Sequence, residues 1–141
     1  MGASGWDYRT PHSTDLAEAL RTLRQKVLAE GNYVWDDAEP RPENLESFDE
    51  LLEDEEFWEE GTHSILDISR VSVDPESEAS TLRLLSPEET SDLFGADQPT
   101  VADVEGKDLF TIYIEPWTGV AATVYADGEP SEYLIWGISG D

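Results

Sequence analysis

His63, Ser64 and Asp67 come nearest in this chain to a catalytic set: an imidazole to move a proton, a hydroxyl to attack, and a carboxylate to orient the ring. All three fall within residues 61–73, a run rich in β-branched residues that reads as a strand. On a regular strand His63 and Ser64 point to opposite faces. His63 and Asp67 then lie roughly 13 Å apart at about 3.3 Å per residue, too far for a hydrogen-bonded relay. The expected role of His63 is therefore that of an ordinary histidine at a strand entry. His12, beside Pro11, carries still less chemical information.

Paired carboxylates could serve as acid and base or as metal ligands, but with 33 acidic residues some pair matches any spacing by chance. No calcium-loop pattern, HExxH, GxSxG, phosphate-binding loop or dinucleotide fingerprint occurs. There is no cysteine, hence no disulfide framework, thiolate nucleophile or cysteine-based zinc site. No cofactor and no dedicated metal site are expected; hard-cation binding would rest on charge alone. An enzyme acting on a small cationic or metal-bound substrate, with carboxylates near His63 and Asp67, is the alternative to a binding protein.

Charge is the stronger signal. Eight basic against 33 acidic residues give a net charge of -25, and the charge is uneven. Residues 1–35 carry four acids and four bases, residues 36–60 thirteen and one, and residues 61–141 sixteen and three. A surface made acidic only for life in high salt should be acidic throughout, so the balanced first quarter weighs against that third reading. A body of this charge repels phosphate backbones, which argues against direct nucleic-acid binding. It favours a basic protein partner, because closely spaced carboxylates accelerate association with a basic surface and reject acidic ones.

The segment over residues 36–60 is the predicted partner-binding site. Asp49, Glu50, Glu53, Asp54, Glu56 and Glu59 supply charge, and Phe57 and Trp58 supply the apolar anchors that tight binding needs. Pro40 and Pro42 make its first third a loop, and Ser47 with Glu50 forms a capping box that starts a helix at Phe48. Phe48, Leu51 and Leu52 form an inward stripe, with the carboxylates elsewhere on the helix. The helix either breaks near Asp54 or leaves Phe57 exposed.

The rest of the chain must hold that segment in place. At 141 residues it fits one domain spanning residues 1–141, and its fourteen aromatic residues and 38% hydrophobic content suit a folded core. Residues 5–9 alternate aromatic and polar side chains as a short strand stopped by Pro11. Ser13, Thr14 and Asp15 offer helix caps, with Glu18 completing a capping pattern, and a helix should run to about Glu30 and stop at Gly31. Leu16, Leu20, Leu23 and Val27 form its buried stripe, with Glu18, Arg21, Arg24 and Gln25 outside it. Residues 32–35 read as extended.

Further on, residues 61–73 change apolar phase between Leu66 with Ile68 and Val71 with Val73, which a bulge near Ser69 would reconcile. A turn over 74–80 leads to a strand over 81–85. Ser86, Pro87 and Glu89 mark a strong helix start with Gly95 as its stop, and Thr100 with Asp103 caps one further turn. Strands are predicted over 109–115, 119–125 and 132–138, with a turn at 127–130. Tyr133, Leu134, Ile135 and Trp136 suggest a strand covered on both faces. The predicted class is α+β: a curved antiparallel sheet with one main amphipathic helix on a face and short extra helices.

Gly5-Trp6-x-Tyr8, Gly31-Asn32-Tyr33, the run from Gly61 through Asp67 and the closing Trp136-Gly137-Ile138-Ser139-Gly140-Asp141 resemble small acidic bacterial proteins of unassigned function. In size, charge and lack of a catalytic motif the chain is also similar to immunity proteins of bacterial toxin systems. That resemblance implies a non-enzymatic inhibitor that covers the basic surface of a toxin or a nucleic-acid-binding enzyme, in its sharpest form by mimicking nucleic acid. It transfers no functional residue. The amino terminus has neither a basic nor an apolar signal region, Trp6 occupies the place a myristoylation pattern reserves for Ser or Thr, and no apolar run is long enough to span a membrane. Cytoplasmic residence is expected. Oligomeric state is left open.

Overall fold

The computed structural model describes residues 4–31, 33, 35, 41–51, 62–72, 80–112 and 114–139. Its centre is a hairpin of β4 (Thr118–Ala126) and β5 (Glu129–Ser139). Asp127 and Gly128 turn it with φ of 54° and 79°. Two successive positive φ values are what a tight hairpin matched to strand twist requires, and Asp-Gly supplies them at little steric cost. β5 is sandwiched between β4 and β1 (Ser4–Pro11), antiparallel to both. It is covered on both sides, as its unbroken apolar run predicts. Tyr133 and Ile135 enter one core, Leu134 and Trp136 the other.

Beyond β4 the sheet changes character. β3 (Thr81–Leu84) pairs parallel to β4, and β2 (Arg70–Val71) parallel to β3, giving the order β1-β5-β4-β3-β2. The sheet is thus mixed and open, where an antiparallel one was expected. The cause lies between Leu84 and Thr118: α3 (Pro87–Phe94), α4 (Val101–Val104) and a 3-10 turn at Leu109–Thr111 carry the chain across before it re-enters in the same direction. The described residues of the strand predicted over 109–115 form no strand. Asp108 instead accepts the Phe110 N–H and starts the 3-10 turn.

The long helix α1 (Leu16–Glu30) lies on the first face with the expected limits, capped by Asp15 and ended by Gly31 at φ 72°. Asp15 accepts the Ala17 N–H, but its own N–H goes to Ser13, so the predicted reciprocal bond from Glu18 is not made. Ala19, Leu20, Leu23 and Val27 are buried against the sheet, with Leu16 partly so. α3 and α4 start with complete capping boxes at Ser86–Glu89 and Thr100–Asp103, as read from the sequence.

Trp6 lies flat across two strands because both neighbours there are glycines. A Cβ on Gly137 would come within 2.5 Å of the indole, and one on Gly119 within 2.9 Å. Any side chain at Gly137 would displace the ring from the core. Among the described residues no helix is long and apolar enough to cross a membrane.

Candidate functional site

Residues 62–72 were expected to be extended. They instead fold into a 3-10 turn at Ile65–Asp67, followed by the two-residue β2. Short polar side chains here offer the backbone better partners than a ladder does. Ser64 accepts the Leu66 N–H at 3.1 Å and caps the turn. Asp67 accepts both the N–H and the hydroxyl of Thr62 at 2.8 Å, and Thr62 and Ser64 share a 2.7 Å hydroxyl contact. Thr62, Ser64 and Asp67 are each at most 1% exposed. Tyr8 packs against this set; burial pushes its phenol up, against hydrogen bonds from Ile65 and Ser64 that favour the charged form. His63 sits at φ 54°, so the strand geometry that separated it from Asp67 does not exist. The buried carboxylate of Asp67 nonetheless faces Thr62.

This polar set positions a carbonyl. Leu66 O, at the turn, accepts a 3.1 Å hydrogen bond from Arg24 of α1. Arg24 is 3% exposed, contrary to the expectation that it lies outside the buried stripe. Its guanidinium also grips Asp49 with contacts of 2.6 and 3.4 Å and sits 5.8 Å over the ring of Phe48. Asp49 and Phe48 belong to α2 (Leu45–Leu51), which begins earlier than predicted. Asn44, not Ser47, is its cap: the Asn44 side chain accepts the Ser47 N–H at 2.9 Å, and its carbonyl accepts the Phe48 N–H. Phe48 is fully buried. One apolar plug and one ion pair therefore fix α2 to α1.

Between α1, α2 and β2 an open groove of about 520 Å³ remains. Leu20, Leu45 and Val71 give it an apolar floor. Arg21 and Arg70 stand on the α1 and β2 sides, and Glu46 and Glu50 on the α2 side. With Arg24, three of the chain's eight basic residues meet here. Glu46 and Glu50 are exposed, and among the described residues neither forms an ion pair.

Of the predicted partner-binding residues, Asp49 and Glu50 are brought to this groove. Asp49 holds the helix through Arg24, with 44% of its side chain exposed, while Glu50 faces solvent. Glu53, Asp54, Glu56, Phe57, Trp58 and Glu59 lie outside the described residues, as does Leu52 of the predicted stripe. Arg21, Arg24, Glu46 and Arg70 were not predicted as site residues. Arg24 was the findable one, four residues after Leu20 and three before Val27, at the margin of the buried stripe. Among the described residues no group of three or more His, Asp or Glu is placed to hold a metal ion. No protein-family model, curated protein or solved structure matches the chain.

Proposed function

We propose that the chain is a non-enzymatic binding protein of the inhibitor or immunity type, and that α2 and the groove beside it receive a basic surface of another protein. The observation that carries this reading is the division of labour on α2. Asp49 is committed to the buried Arg24, whereas Glu46 and Glu50, one turn apart on the same helix, remain open to solvent at the groove. A lysine or arginine suits such a place: its apolar stem covers Leu20, Leu45 and Val71 while its charged end reaches the carboxylates. Arg21 and Arg70 across the groove turn an incoming cation toward α2, which gives the contact a direction.

Burial of Thr62, Ser64 and Asp67 in mutual hydrogen bonds favours this reading over a catalytic one, since a reacting group must meet its substrate. The test is capture by the native chain and by a Glu46→Gln/Glu50→Gln variant, at low and at high salt. A basic protein retained by the native chain at low salt, and lost both on raising the salt and on substitution, is the expected result. Retention indifferent to both changes would refute the reading. Competition by duplex DNA for the same partner would support the mimicry form, and simultaneous binding would exclude it.

A further inference from the structure

We propose that the free edge of β1 pairs with the same edge of a second copy of this chain, antiparallel and centred on Tyr8, so that two sheets join into one. Among the described residues β1 is the outermost strand on its side of the sheet. Its ladder with β5 pairs Thr10 with Tyr133 and Pro11 with Glu132, and continues with the His12 N–H donating to Ser131 O at 3.1 Å. Residues of an antiparallel pair alternate between exchanging backbone bonds with the partner strand and turning away from it. Trp6, Tyr8 and Thr10 therefore bond inward to β5. Gly5, Asp7, Arg9 and Pro11 turn their backbone groups outward, and all four are exposed. An eight-residue strand with such an edge is a template for another strand.

The side chains select what that strand is. With a two-fold axis at Tyr8, Asp7 of each copy stands directly opposite Arg9 of the other, and these are positions that exchange two backbone bonds. Moving the axis one residue either way sets Asp7 against Asp7 or Arg9 against Arg9, which is unfavourable. The edge is thus complementary to itself in one register only, as a two-fold interface demands. Gly5 comes opposite Pro11, whose missing N–H ends the ladder. The exposed ring of Phe110 stands over Gly5, on the face that carries Asp7 and Arg9, so Pro11 of the second copy would cover it. Charge permits the approach here: residues 1–35 have no net charge in a chain of -25, and the acidic α2 packs near β2 at the opposite edge.

Sedimentation equilibrium of the full chain over a concentration series tests the pairing. A monomer–dimer equilibrium is expected. Asp7→Arg alone and Arg9→Asp alone should each weaken it about tenfold by placing like charges opposite twice per dimer, and the double exchange should restore it. Asp7→Pro should abolish the dimer with the circular dichroism of the monomer unchanged, because the Asp7 N–H takes no part in the β5 ladder. A chain that stays monomeric at every concentration, or a dimer that Asp7→Arg leaves intact or the double exchange fails to restore, would overturn the proposal.

Discussion

The two faces of the sheet solve the same packing problem with different materials. Under α3 and α4 the second face is apolar: Leu85, Phe94, Val104, Ile114, Val120, Leu134 and Trp136 form its core. Its polar bonds are mostly at the margins, in the capping boxes at Ser86 and Thr100 and the Arg83–Glu89 pair. Under α1 the first face mixes a comparable apolar core with buried Arg24, Thr62, Ser64 and Asp67. The difference follows from what each face must hold. α3 and α4 cover much of the second face and close their own ends with capping boxes, and the 3-10 turn beside them draws one side-chain partner, the Trp136 indole N–H donating to Leu109 O at 2.9 Å. The first face must fix a loop, a 3-10 turn and a short helix, whose backbone groups need side-chain partners. The face that uses polar groups inside is also the one that presents a charged groove outside.

Emptying the apolar face should have the largest effect. Phe94 is 4% exposed and meets Trp136 edge-on at 6.3 Å, so Phe94→Ala should cost about 3–5 kcal/mol in urea unfolding. Its effect on the groove should be no more than the loss of folded protein. Arg24→Ala comes next, at about 1–3 kcal/mol. It leaves Leu66 O without its donor, while Asp49, nearly half exposed, recovers part of the loss from water. Arg24→Met should be milder for global stability because an apolar chain fills the same space. Both Arg24 variants should nevertheless speed hydrogen exchange of the α2 amides, a local loosening that Phe94→Ala does not share.

Smaller effects are expected at the helix cap and the titrating groups. Ser86→Ala removes the α3 cap and should cost about 1 kcal/mol, with no change in α2 exchange. The faces should also respond to opposite ends of the pH scale. The Arg83 guanidinium holds the Glu89 carboxyl below its ordinary value. That stabilisation is complete above the unfolded carboxyl value and is lost as the pH falls through the folded one, so native and Glu89→Gln chains should converge in stability in acid. Tyr8 is raised by burial. Its contribution is complete below the unfolded phenol value and is lost as the pH rises through the folded one. An alkaline decline in stability that Tyr8→Phe diminishes is the expected sign.

What could be read from the chain without coordinates was whatever has a local cause. Asp15 and Gly31 bound α1, Ser86-Pro87 and Gly95 bound α3, and Asp127-Gly128 turns the hairpin, each through chemistry confined to a few residues. The burial of Tyr133 through Trp136 on both faces was legible from composition alone. The 3-10 turn was not, because Ile65, Leu66 and Ile68 favour a strand, and only the bonds among Thr62, Ser64 and Asp67 decide otherwise. Parallel pairing of β3 with β4 depends on a crossover of more than thirty residues, which periodicity within each strand does not record. Arg24 escaped because its burial is set by Asp49 and Leu66, far away in sequence. Asp49 and Glu50 stand out in the sequence by charge alone, and their division into an anchor for Arg24 and an open charge at the groove needed the fold.

The open charges of α2, held in place by Arg24, are proposed to form a directed receptor for basic side chains. The most direct test follows the backbone amide resonances while a short peptide of alternating leucine and lysine is added at low salt. Shifts should concentrate at Leu45, Glu46, Glu50, Arg21 and Val71, vanish in Glu46→Gln/Glu50→Gln and shrink in Arg24→Met. Shifts spread evenly over the acidic surface, or unchanged in the double variant, would contradict the proposal.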